Sequence, residues 1–342
     1  IKINNIHFRE KKYILSVIFS DILGIKVSYE ICDIDSYEIT LPNNKTISIP
    51  DIFLSSQKHQ EEWKEFEYPK MNFDTDIKLT NVHKLFGMYG NKKFENTKES
   101  IVINNDIIGS AFIFLSRIEE LNENHDKFNR YQYKNSLADR FNIITRPVVN
   151  EYIEFFKDAI SLLDPTINFK KYSFDVMLTH DIDLIKRWTF KHLLKHAVVN
   201  IGKRNYIKGF KGFIKSRINP ENDPYYNFDK IMELSNSYNF KSLFLFMSLE
   251  KDEFEFLYSL DQVKHPIKKI LESENHKIGI HPSKITYDNY KNLKKEINRF
   301  SEKINEKIEY SRQHYLMFDI NKTWNILNSN NIKYDLTLGY PE

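Results

Sequence analysis

The chain carries one cysteine, Cys32, among 342 residues. No intrachain disulfide and no cysteine-based zinc knuckle can therefore form, a usage that suits a reducing compartment. Glycine and proline are scarce, at 9 and 10, and no strand-like segment is followed by a glycine-rich phosphate loop, which disfavours a nucleotide-binding fold. An excess of one charge is also lacking. The 50 Lys and Arg against 47 Asp and Glu leave a formal net charge of +3, too small to mark a specific nucleic-acid binder. No apolar run approaches the roughly 20 residues of a membrane helix. The opening "IKINNIHFREKKYILSVIFSDILG" has charges inside any would-be apolar stretch, so it does not read as a signal peptide, and a cytoplasmic location is the default expectation. Because the chain opens on Ile1 rather than Met, further residues are expected upstream.

What is present suits packed domains. Hydrophobic residues make up 41% and aromatics 14%, enough for sizeable cores, and the length predicts roughly two domains of about 100–200 residues each. Residues 1–165 mix element types. "REKKYILSVIFSDILG" sets Ile14, Val17, Ile18, Ile22 and Leu23 on one helical stripe. "IKVSYEIC", "SYEITL" and "TISIP" read as short strands, and "DIIGSAFIFLSRIEEL" and "RPVVNEYIEFFKDAISLL" as helices. This is an α+β pattern without a chemical constellation. Asp164-Pro165 and the polar "TINFKKYS" mark a linker.

From residue 170 onward the pattern alternates. Strands are predicted at 173–178, 242–248, 277–281, 308–314 and 333–339, and helices at 228–240, 266–276, 289–305 and 322–331. Short connections between them imply parallel strands with crossover helices, in either a barrel or an open doubly wound sheet. The reactive side chains gather at strand ends. His180, Asp181 and Asp183 follow the first strand, His281 closes the third, and Arg312 and His314 end the fourth. That is the rim on which (β/α) barrels build active sites.

Asp181 and Asp183, two apart, can divide the work, one binding a divalent ion and the other acting as general base. Alone, they read equally as a helix cap or surface acids. His281, in "IGIHPS", suits a zinc-class ion as neutral imidazole, or is a hydrogen-bonded core histidine. Arg312 can orient Asp181 through a two-toothed hydrogen bond, or form an ordinary surface pair. His314 is open between third metal ligand, proton donor and packing residue. The segment 186–217 interleaves Lys and Arg with aromatics and contains no acid. It attracts an anionic glycan, a membrane surface or nucleic acid, or is a solvated insertion.

In order, "VMLTHDID", "SLFLFM", "KIGIHPS", "SRQHYL" and "YDLTLGY" resemble the polysaccharide deacetylases (NodB-homology, carbohydrate esterase family 4-like). More narrowly, "FIFLSRIEE" and "RPVVNEYIEFF" are similar to the companion domain of a bacterial branch with an additional N-terminal domain. The resemblance implies a distorted (β/α) barrel over 170–342, incomplete at its C-terminus, preceded by a smaller α+β accessory domain over 1–165. It also implies metal-dependent removal of an N-acetyl or O-acetyl group from an acetylated amino sugar or polysaccharide, with Zn²⁺ as the expected ion. The family's Thr-Phe-Asp-Asp motif carries over as Asp181 for the base and Asp183 for the ligand. Its His-(Ser/Thr)-x-x-His motif matches only at His281, because Ile285 stands at the second histidine's position; His314 is our proposed replacement. The arginine that orients the base matches Arg312. The motif bearing the histidine acid would lie beyond Glu342, so the sequence is expected to be a fragment. The departure at Ile285 also motivates an alternative, a catalytically impaired barrel that binds glycan or acts as a scaffold.

Overall fold

A computed structural model describes the chain except residues 57–68, 122–124, 188–204, 252, 254 and 341–342. Two compact units emerge, one comprising Ile1–Asp126 with Tyr131–Ser173 and the other Lys127–Arg130 with Phe174–Pro341.

The first unit holds β1 (Lys2–Ile3), β2 (Glu30–Ile31), β3 (Ser36–Thr40), β4 (Thr46–Pro50), β5 (Phe73–Asp76), β6 (Lys84–Gly87), β7 (Gly90–Asn96) and β8 (Ser100–Asn105). Six of these form a mixed sheet in the order β2-β1-β3-β4-β8-β7, and β5 and β6 form a separate antiparallel pair. Alternation in β4 and β8 buries Ile47, Ile49, Ile101 and Ile103. The helix Val148–Leu163 buries Tyr152, Phe155, Phe156, Ala159 and Ile160, spacings of three and four that place them on one stripe. Asp106 caps the helix Ile107–Ser116, its Oδ1 accepting from Gly109 N at 2.7 Å. The N-terminal helical stripe runs as an α-helix over Phe8–Leu15 and continues as a π-helix over Ser16–Ile22.

The second unit is built on β9 (Met177–Ile182), β10 (Lys241–Phe246), β11 (His276–Ile280), β12 (Tyr310–Ser311) and β13 (Tyr334–Asp335). They pair in parallel, in the order β13-β12-β11-β10-β9. Helices at Phe228–Ser237, Lys264–Leu271, Tyr290–Ile304 and Thr323–Ser329 make the crossovers. One face of β10 sends Phe244 and Phe246 into a core with Phe228, Ile280, Leu293 and Phe300. The other face carries the fully buried Leu243 and Leu245.

The expected (β/α) barrel is not formed. The five strands follow one another across an open sheet, and among the described residues no ladder joins β9 to β13. Closure of a small barrel takes about eight strongly tilted strands, whereas β12 and β13 contribute two residues each. The companion unit is only marginally the smaller, since the two are of nearly equal length. Nor does the strand predicted at 173–178 form over those residues. The first ladder is displaced to Met177–Ile182, and at this open edge Phe174 is 89% exposed and Leu178 38%.

Candidate metal centre

β9 pairs with β10 in a register that sets Thr179 opposite Leu243, His180 opposite Phe244, Asp181 opposite Leu245 and Ile182 opposite Phe246. Strand alternation therefore divides the "THDID" stretch between two faces. His180 turns to the helix-covered side, its ring 5.0 Å from that of Phe244 and its Nε2 3.1 Å from Ser242 Oγ, so it packs away from the centre. Thr179 and Asp181 belong to the opposite face.

Asp183, His281 and His314 are brought together just past the carboxyl ends of β9, β11 and β12. Their ligand atoms all lie within 4.8 Å of one another. Asp183 Oδ1 is 3.3 Å from His281 Nε2 and 3.8 Å from His314 Nε2. Backbone pairing carries the sheet on to the site: Arg312 N donates to Ile280 O at 3.1 Å and His314 N to Pro282 O at 3.0 Å. His314 then opens a short 3₁₀ turn, His314–Leu316, rather than continuing a strand.

Two observations test whether these residues fit an ion. The first is tautomer. His281 Nδ1 lies 2.6 Å from Arg312 O; a carbonyl only accepts, so Nδ1 carries the proton and neutral His281 presents a bare Nε2. That lone pair faces Asp183 Oδ1, a buried acceptor with no hydrogen-bond donor aligned on it. Two facing acceptors need a cation between them, a proton or a metal. The second is spacing. Ligands at about 2.1 Å from a tetrahedral zinc stand about 3.4 Å apart, close to the 3.3 and 3.8 Å found here. The residues fit.

Electrostatics acts in opposite directions on the two histidines. Burial opposes protonation of His281, yet Asp183, the nearby Asp181 charge and the Arg312 carbonyl outweigh it and raise the pKa. Asp183 is held below its ordinary value by the His281 contact, against its burial, with His281 and His314 charge adding to the effect. Burial lowers His314, helped by the His281 charge; a lowered pKa favours the neutral imidazole that ligates.

Beside the triad, Arg312 spreads its guanidinium over three acceptors: Asp181 Oδ1 at 2.8 Å, Thr179 Oγ1 at 2.8 Å and Leu336 O at 3.0 Å. Its carbonyl orients His281 and its side chain holds Asp181, so one residue positions both parts of the site. Asp181 keeps a side chain 31% exposed, open to an incoming molecule. Ile285, where the resembled family has a second histidine, is 53% exposed and supplies no ligand.

Three supporting residues, Glu296, Tyr258 and Glu255, lie outside the motifs. Ser283 bonds to the buried Glu296 through N at 3.0 Å and Oγ at 2.5 Å, pinning the loop after His281 to the helix Tyr290–Ile304. Tyr258 OH donates to Ile182 O and accepts from Met247 N, clasping the ends of β9 and β10. Glu255 stands behind His314, with Oε2 3.8 Å from Nδ1. Composition and periodicity do not reveal these three, because they act from loops and a helix through the tertiary fold.

Of the basic segment 186–217, residues 188–204 lie outside the described residues; a helix begins at Asn205. In the first unit, fully buried Lys11 forms an ion pair with Asp51 and bonds to Asn4, and Tyr37 OH donates to Asp51 at 3.0 Å. That cluster satisfies itself and reads as architecture. Among the described residues no helix is long and apolar enough to cross a membrane.

No curated protein and no solved structure matches the chain. Residues 1–165 are similar to a family of unknown function, DUF7033, a match that ends before the metal centre begins.

Proposed function

We propose that the protein is a metal-dependent hydrolase that removes N-acetyl or O-acetyl groups from a carbohydrate. One observation carries the reading: a carboxylate held by an arginine, Asp181 on Arg312 at 2.8 Å, stands two residues from an Asp-His-His ligand set. The order of the strand-end motifs, which resembles that of polysaccharide deacetylases, supplies the substrate class.

Asp183, His281 and His314 would hold a divalent ion, with Zn²⁺ best suited to one carboxylate and two imidazoles. Such an ion supplies Lewis acidity, lowering the pKa of water and polarising an acyl oxygen. The chain's own groups do the rest. Asp181 takes the proton of the attacking water, and Arg312 keeps that carboxylate aimed. The water oxygen bonds to the acyl carbon, the carbon–nitrogen or carbon–oxygen bond breaks, and the departing amine or alcohol takes up a proton. Acetate is the second product.

The test combines metal content with acetate release. After zinc reconstitution the intact protein should retain about one ion per chain and release acetate from a panel of N- and O-acetylated oligosaccharides. Asp181→Asn should keep the ion and lose about 100-fold or more in rate, the usual worth of a general base. A protein that retains no ion after reconstitution would overturn the proposal, as would an Asn variant that cleaves like the parent.

A further inference from the structure

The two histidines of the triad are supported differently. His281 has a backbone carbonyl at its Nδ1. His314 Nδ1 is buried without a hydrogen-bond partner, and the acceptor standing nearby is a carboxylate, Glu255 Oε2, at 3.8 Å. We propose that Glu255 is a positioning residue whose carboxylate accepts a hydrogen bond from His314 Nδ1–H and so presents Nε2 to the bound cation. This rests on the three-ligand reading of Asp183, His281 and His314.

Three features support it. The His314 ring lies between two carboxylates, Glu255 Oε2 near Nδ1 and Asp183 Oδ1 3.8 Å from Nε2. Metal-bound histidines usually donate their second ring N–H to a carboxylate or carbonyl, which fixes the ring and raises its basicity. Both side chains are about nine-tenths buried, at 10% and 7% exposure. An unpaired buried donor is destabilising, and 3.8 Å is less than an ångström beyond hydrogen-bond length, within reach of a small carboxylate rotation.

The backbone is also held in costly conformations on both sides of the pair. Glu255 has φ 75°, and Tyr315 and Leu316, directly after His314, have φ 59° and 53°. Non-glycine residues persist there only when their surroundings hold them, a pattern concentrated at functional sites. Glu255 is itself anchored from the His281 loop, since Lys284 N donates to its Oε2 at 3.2 Å and Lys284 Nζ lies 3.4 Å from its Oε1. One carboxylate thus touches the loops that carry both histidine ligands.

Zinc titration calorimetry on the full chain tests this with His314→Ala, Glu255→Leu, Glu255→Gln and the Glu255→Leu/His314→Ala double variant. Glu255→Leu should weaken zinc binding about 10–100-fold, the usual effect of losing such an outer partner. Glu255→Gln, which keeps an acceptor, should recover most of that loss. In the His314→Ala background, Glu255→Leu should have no further effect, because its only route to the metal is gone. If His314→Ala binds zinc like the parent, the three-ligand reading fails and this inference with it. If His314→Ala binds weakly while both Glu255 variants bind like the parent, this inference alone is overturned. An equal loss from Glu255→Leu with and without His314 overturns it too. Should the Leu variant fail to fold by circular dichroism, Glu255→Ala, alone and combined with His314→Ala, replaces it: a loss of affinity of about 10–100-fold that vanishes in the His314→Ala background supports the role, and parental affinity overturns it.

Discussion

At the scale of single residues, Arg312 is the most informative position. Its three acceptors fan out as only a planar guanidinium can meet them. Arg312→Lys keeps a positive charge but cannot hold Asp181, Thr179 and Leu336 O at once. The variant should bind zinc within about 2-fold of the parent, since its carbonyl is intact, while hydrolysis falls about 10-fold or more through the misaimed base. Parallel calorimetry and acetate assays check the split; equal losses in both would count against it.

Glu296 carries a pH prediction. Burial, opposed by the two Ser283 bonds, pushes its pKa from 4.5 to about 7. The folded protein thus keeps a proton that the unfolded chain releases. Its contribution to stability is fully present below pH 4.5 and is lost as the pH rises through 7. Glu296→Gln removes the titration yet retains hydrogen-bonding groups for Ser283. Urea unfolding midpoints between those pH values should fall with rising pH in the parent and fall less steeply in the variant. Identical slopes would refute the assignment.

At the scale of elements, Gly279 in β11 has neighbours from both β10 and β12 close against it. A Cβ added at Gly279 would lie 2.7 Å from both Leu245 Cδ2 and Tyr310 O. Gly279→Ala should therefore destabilise by about 1–3 kcal/mol through overpacking and also weaken zinc binding, because His281 is two residues on. An unchanged denaturation midpoint would show that the strands yield without cost. How far elements can be read from sequence follows from how burial is encoded. The stripe Leu293, Ile297 and Phe300 marks a helix because its buried face repeats at helical spacing. Residues 173–178 mislead because an apolar run does not distinguish a buried strand from an open edge. The convergence of Asp183, His281 and His314 was legible because parallel strands deliver their ends to one rim. Glu255 was not, since a loop residue announces no periodicity and meets His314 only through the tertiary fold.

At the scale of the molecule, the ligands all belong to the second unit. A ligand present at 100 times its Kd stabilises the state that binds it by about 2.7 kcal/mol. On adding zinc, hydrogen exchange should slow in peptides covering β9, β11 and residues 312–316, and a chelator should reverse the change. Unaltered exchange in those peptides would argue against an ion at the triad. The double duty of Arg312 has a further consequence. The atom that orients His281 is a main-chain oxygen, which every replacement retains, whereas the group that aims Asp181 is the side chain. On the proposed hydrolase reading, one codon change would therefore silence turnover and spare the ion. Descendants of such an enzyme would have a short mutational route to a metal-loaded carbohydrate receptor, with no refolding along the way.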